Sequence, residues 1–241
     1  MSNITVKIFL LFFTLVFGFL ASPYSRCGLP YVHDMDEQSH LARVVEMMKK
    51  GKWDPGYYQK PAVHFYLRIP VTAGAFLFEV SRGNLKRLDQ LETQDRFNLG
   101  GYASASNPPV MILVNRYLSL VCVSFGIFLL ALIIQNNGGF FMAVVFALFC
   151  SFSLPFVEYC CRLSVDPIAA FFVCATMFFS YRFITSGEKP FLVLGAISAG
   201  LAFSTKYNFI ASMLLPLIAV LAQRTRAAKG NMIIACISIC V

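Results

Sequence analysis

The chain has 241 residues and a formal charge of +8, with 58% hydrophobic and only 13% charged residues. With a mean hydropathy of +0.68 it is far from the soluble-domain norm, where about a quarter of residues are charged, and it reads as a polytopic membrane protein. A nucleic-acid partner is excluded on the same grounds, since the basic residues are scattered and the aromatics lie in apolar runs and not beside them.

A bilayer core takes about 20 apolar residues as helix. Such runs occur at Ile4–Ala21, Ile112–Ile134, Phe140–Val157, Pro167–Ile184, Phe191–Ala222 and, shorter, Met232–Val241. A single Lys7 and no small-x-small cleavage site favour an uncleaved first span over a signal peptide. The last run stops halfway through a span, which predicts a truncated chain. The expected fold is therefore an all-α, polytopic transmembrane bundle forming a single domain over residues 1–241, with amphipathic interfacial helices in its first outer loop.

Short loops rich in Lys and Arg mark the cytoplasmic side. Arg182 with Lys189, and the cluster Arg224, Arg226 and Lys229, can both be inside only if Phe191–Ala222 is a helical hairpin turning near Lys206-Tyr207-Asn208. Counting back, Lys206, Asp166 and residues 23–111 all face outward. Within that long non-cytoplasmic loop, Leu41, Val44, Val45 and Met48 fall at i, i+3, i+4 and i+7, which predicts a membrane-facing stripe on a helix ended by Gly51. Pro61–Val80 carries His64, Arg68 and Glu79, making it a poor span and a better interfacial helix.

Nine of the 12 acids lie between Pro23 and Met111, so chemistry is expected in or against that loop. Asp36 fits a helix N-cap and Glu37 a first-turn acid; Lys206 reads alone as an interfacial anchor, as do Arg116 and Arg162. What raises their interest is that Asp36, Glu37, Lys60, Asp166 and Lys206 all come out on one membrane face, which independent caps and anchors would not need to do. His33, Asp36, Glu37 and His40 are of metal-ligand type but match no metal motif. No metal site or cofactor is therefore assigned, and a divalent ion stays an open alternative. Among the eight cysteines, only Cys27, Cys160 and Cys161 lie where they could meet in an oxidising compartment.

The order of an acid pair, an amphipathic helix with Gly, Lys60-Pro61 and Tyr66, a long outer loop, and then Asn115-Arg116-Tyr117-Leu118-Ser119 opening a span resembles the GT-C integral-membrane glycosyltransferases. The likeness is to the branch of protein mannosyltransferases and aminoarabinose transferases. Arg162-Leu163-Ser164-Val165-Asp166-Pro167 resembles that family's second outward acid motif, and Gly200-Leu201-Ala202-Phe203-Ser204-Thr205-Lys206-Tyr207 its Gly-Leu-Ala…Thr-Lys segment.

The resemblance implies a glycosyltransferase that moves a sugar from a polyprenyl-phosphate carrier to an acceptor on the non-cytoplasmic face of a bacterial inner membrane or endoplasmic reticulum. It implies catalytic roles for Asp36, Glu37 and Asp166, and substrate contacts for Lys60, Tyr66 and Lys206. Its partners would be the lipid-linked donor and membrane lipids; neither sugar nor acceptor is specified by these residues. The rival expectation is a non-enzymatic membrane protein, a transporter or structural subunit. Transporters, however, place ionisable residues near the bilayer midplane, whereas these acids cluster towards one surface.

Overall fold

The computed structural model describes residues 3–30, 35–56, 58–93 and 107–223, and among them every regular element is helical. The α-helices are α1 (Asn3–Ala21), α2 (Met35–Lys50), α3 (Val63–Ser81), α4 (Pro109–Phe152), α5 (Leu154–Cys160), α6 (Val165–Ser186), α7 (Lys189–Phe203) and α8 (Leu214–Ala222). Three segments are long and apolar enough to cross a membrane: Ile4–Arg26, Pro109–Phe152 and Val165–Ser186. The all-α membrane-bundle class is as expected.

A straight helix the length of α4 would run about 66 Å, twice a bilayer core. It does not run straight. Gly139 takes φ 83°, ψ 172°, a conformation that only glycine adopts without strain, and the chain doubles back there. The returning arm sets Ala147 and Cys150 against Leu120, Val123 and Ile127 of the outgoing one. The two apolar runs expected on either side of residue 139 are thus two arms of one hairpin.

Helix α1 lies antiparallel to the outgoing arm: Val6 and Leu10 pack with Ala131 and Leu132, while Phe17 and Ala21 pack with Leu120 and Val123. Gly126 permits the close approach of α6, since a Cβ there would come 3.3 Å from Cys174 Sγ. Helix α6 ends in a left-handed Gly187 at φ 72°, whose N–H returns to Phe183 O, and α7 runs back along it. After α7 the chain passes through a 3-10 segment, Tyr207–Met213, and α8 reverses direction. Phe183, Leu192, Ala219 and Val220 share a core, and Gln223 Nε2 donates to Phe183 O at 3.2 Å. The hairpin expected within Phe191–Ala222 is present, turning at the residues named for it.

These reversals gather the C-terminal end of α1, the N-terminal ends of α4 and α6, and the C-terminal end of α7 at one end of the bundle. Helices α2 and α3 cap that end. The apolar stripe of α2 is where the structure departs from expectation. Leu41 and Val45 are buried with Met111, Ile112 and Leu163, and Val44 with Phe65 of α3, so the stripe faces the protein and not a membrane. The reason is physical: periodicity shows that a face is buried, not what buries it. Helix α3, not counted among the spans, buries a polar face of its own, with His64, Arg68, Thr72 and Glu79 all inside.

Candidate functional site

Two acid–lysine pairs lie at this end of the bundle. Asp36 stands in the first turn of α2, inside the helix and not at its N-cap as the sequence suggested. Its Oδ2 accepts from Lys60 Nζ at 2.6 Å. Asp166 stands in the first turn of α6, one residue beyond the start set by Ser164, whose side chain accepts the Asp166 N–H. Its carboxylate is held by Lys206 Nζ, by Tyr159 Oη at 2.5 Å and by Ser164 Oγ at 3.3 Å. Lys206, which read by itself as a snorkelling anchor and by resemblance as a substrate contact, is a partner of Asp166. It reaches that position because α7 breaks after Phe203, with Ser204 O accepting from Val63 N at 3.2 Å and so tying the break to the start of α3.

Glu37, beside Asp36, has a different environment. It is 1% exposed and faces Arg116, which is 4% exposed. Arg116 Nε donates to Oε1 at 2.9 Å and Nη2 to Oε2 at 2.6 Å, while Leu163 N donates to Oε1 at 2.7 Å. Arg116 Nη1 also closes on Ser25 O and Cys27 O. The expectation that Arg116 is a head-group anchor is therefore corrected: it is a buried, bidentate ion-pair partner. Arg162 is part-exposed and pairs with Glu158 at 2.6 Å, one turn away.

Between the two carboxylates lies a buried polar cluster of His40, His64 and Arg68, whose joint packing the sequence did not show. His40 Nδ1 approaches Leu163 O at 3.3 Å, and since a carbonyl only accepts, Nδ1 carries the proton and Nε2 is left to accept from Lys60 Nζ at 3.4 Å. Burial, reinforced by the Lys60 and Arg68 cations, pushes the His40 pKa down to about 3. His64, 4.8 Å away ring to ring, is also driven well below the ordinary histidine value, first by burial and then by His40, Arg68 and Lys60. Both imidazoles are neutral at pH 7. Arg68, fully buried, donates to Asn115 O at 2.9 Å, Ser119 Oγ at 3.1 Å and Ser164 O at 2.7 Å; burial lowers its pKa to about 10, which leaves it charged. In the sequence His40 stood out only as a residue of metal-ligand type, and His64 and Arg68 only as the polar pattern of a segment too charged to span.

The backbone just before Asp166 is thus gripped from two helices. Helix α2 holds both sides of Leu163, its N–H on Glu37 and its C=O on His40, and α3 holds Ser164 O through Arg68. The two acid regions of the sequence are mechanically one site.

Two cavities adjoin it. An apolar cleft of about 490 Å³ runs between α4 and α6, bordered by Val123, Ile127, Phe146 and Phe171, with Asp166 and Tyr159 also on its wall. A second, more polar hollow of about 660 Å³ is lined by Trp53, Asp54, Tyr58, Lys60, Tyr66 and Tyr207. Tyr66 and Lys60, expected to touch substrate, therefore share one cavity. Lys206 reaches the cleft wall through its bond to Asp166, and of the residues that follow it Tyr207 lines the hollow and Phe209 the cleft.

Of the residues considered as metal ligands, His33 is outside the described residues, while Asp36 and His40 both face the Lys60 ammonium. Among the described residues no cluster of three or more His, Cys, Asp or Glu side chains is placed to hold a metal. Cys27 and Cys161 border one further cavity, and both are free thiols, as is Cys160.

The helices and this site define a membrane protein that brings carboxylates and lysines together above an apolar cleft. A family model described as dolichyl-phosphate-mannose-protein mannosyltransferase matches residues 111–241, more than half of the chain, and the chain belongs to that family of glycosyltransferases. The matched region contains Arg116, Asp166 and Lys206 and begins after Asp36, Glu37 and Lys60. No curated protein matches the chain, and neither does any solved structure.

Proposed function

We propose that this protein is a glycosyltransferase unit, residues 1–241, that moves a sugar from a polyprenyl-phosphate carrier to an acceptor on the non-cytoplasmic membrane face, with residues 23–111 on that side. The observation that carries this reading is the gathering of the Asp36–Lys60 and Asp166–Lys206 pairs at one end of the bundle, with Asp166 on the wall of an apolar cleft and Lys60 on that of the polar hollow. An isoprenoid tail needs an apolar slot open to lipid. Its phosphate needs cations at the slot's end, and the acceptor hydroxyl needs a carboxylate beside them.

The chemistry assigns the roles. Attack at the anomeric carbon leaves negative charge on the departing phosphate, which Lys60 and Lys206 are placed to meet. The acceptor must lose a proton in the same step, and Asp36, the more exposed carboxylate of the two pairs, is the general base. Phosphate arriving at Lys60 competes with Asp36 for the ammonium, so donor binding frees the base when it is needed. Asp166 orients Lys206 and, with Tyr159, borders the cleft. Glu37 is a positioning residue: with both oxygens already taken by Arg116 and Leu163 N–H, it sets the height of Asp36 and the course of the chain into Asp166. Tyr66 contacts the substrate from the neighbouring hollow.

The test is donor binding and transfer, measured with a radiolabelled polyprenyl-phosphate sugar in membranes containing the protein. Lys60→Ala and Lys206→Ala should each weaken donor binding by about tenfold or more, the scale of a lost charge-assisted contact. Undiminished donor binding in the double variant would remove the phosphate assignment.

A further inference from the structure

We infer that the hollow walled by Trp53, Tyr58, Tyr66 and Tyr207 is a binding site for a hexopyranose ring, with Asp54 and Lys60 as its polar contacts. The inference rests on the transferase reading and extends it to a recognition surface.

The four aromatic side chains come from three separate places: the loop after α2, the first turn of α3, and the break after α7. They converge on a space of about 660 Å³, which exceeds what one sugar ring needs. Trp53 is 70% exposed, Tyr58 79% and Tyr207 48%, so their faces are spent on no core. Trp53 and Tyr66 meet edge to face, with centroids 5.8 Å apart and planes at 71°, an arrangement that leaves ring surface free on each.

A pyranose is amphipathic in the complementary sense: one face of axial C–H groups suits an aromatic ring, while its equatorial hydroxyls need acceptors and donors at the rim. Asp54 supplies the acceptor. Its Oδ1 takes the Gly56 N–H at 2.8 Å and its Oδ2 the Tyr58 hydroxyl at 3.4 Å, which fixes the carboxylate while leaving lone pairs unused. Lys60 supplies the donor. The floor is rigid where it matters, because the Val63 N–H to Ser204 O bond joins the α3 and α7 sides.

Aromatics that merely mark a membrane interface project outward from helix ends. Here Trp53 and Tyr66 meet edge to face, and all four rings line one concavity together with a carboxylate and an ammonium.

The ring could belong to the donor or to a glycan acceptor, and the test separates the two. Trp53 is the single tryptophan of the chain, so intrinsic emission reports directly on the site. Titrating the full chain in detergent with methyl α-mannopyranoside and methyl β-glucopyranoside should give a saturable change in emission with at least one of them. Tyr207→Ala should weaken that binding by about tenfold or more, as should Tyr58→Ala. Both side chains are about half exposed or more, and their loss leaves no core cavity. If a polyprenyl-phosphate sugar competes with the glycoside, the ring is the donor's; if both bind together, it is the acceptor's.

Glycoside binding without any donor binding would overturn the transferase reading and leave the sugar site standing. Transfer with unchanged KM in a Trp53→Ala/Tyr58→Ala variant, with no glycoside response in the parent, would overturn the sugar site and leave the transferase reading standing. Emission that shifts to the blue on reconstitution into phosphatidylcholine vesicles but ignores every glycoside also overturns it, and makes these residues interfacial anchors.

Discussion

Replacing Glu37 by Gln removes one charge from a site where three donors converge on two oxygens. Arg116 Nε and Leu163 N–H share Oε1, and Arg116 Nη2 takes Oε2. A glutamine can turn its carbonyl to only one of these positions, so its amide N–H₂ must face either Nη2 or the Nε and Leu163 pair, donor against donor. Arg116, 4% exposed, would keep its charge with the Ser25 and Cys27 carbonyls and at most one neutral amide oxygen in place of the carboxylate. Breaking a buried pair in this way costs about 3–5 kcal/mol, a large fraction of a typical domain's stability. Denaturant unfolding of purified protein in detergent, followed by far-UV circular dichroism, measures the change.

The double variant Glu37→Leu/Arg116→Met removes both charges and should recover most of the loss, because the desolvation of two ions disappears with their attraction. Glu37→Gln within about 1 kcal/mol of the parent would refute the view that this ion pair anchors α2 to α4 and would return Glu37 to the list of free acids.

Asp36→Asn should leave stability within about 1 kcal/mol, since its side chain is half exposed, yet lower transfer by about a hundredfold or more through loss of the general base; parental turnover would reduce Asp36 to a first-turn helix acid. His40 and His64 both have folded pKa values below the unfolded 6.5, so the unfolded chain binds more protons below that pH. Their contribution is complete above pH 6.5 and is lost as pH falls towards the folded values, at up to about 1.4 kcal/mol per pH unit for each histidine. Unfolding curves from pH 7.5 to 5 should show that slope, and His40→Phe should remove about half of it, leaving the share of His64. Cysteine labelling in sealed vesicles, on a background lacking the native cysteines, should mark positions 36, 166 and 206 from one side and positions 137 and 186 from the other. Labelling of 36 and 137 from the same side would overturn the proposed orientation.

The apolar runs were readable because crossing a bilayer imposes a length and a composition on consecutive residues, and Ile4–Ala21 and Pro167–Ile184 reappear almost unchanged as α1 and α6. The hairpin before Ala222 was readable for a related reason: two basic clusters on one side require an even number of passes between them. The grouping of Asp36, Lys60, Asp166 and Lys206 at one end followed from the same counting of passes, but their pairing did not. Lys206 lies 40 residues from Asp166 and Arg116 lies 79 from Glu37; no local pattern encodes a partner at that separation. Helix α2 makes the point most clearly. Its stripe was visible as a period of 3.6, while the surface that buries it, Met111, Ile112 and Leu163, belongs to α4 and to the turn before α6. Amphipathicity is a property of one segment, whereas the choice between lipid and protein as its neighbour is made by the packing of all of them.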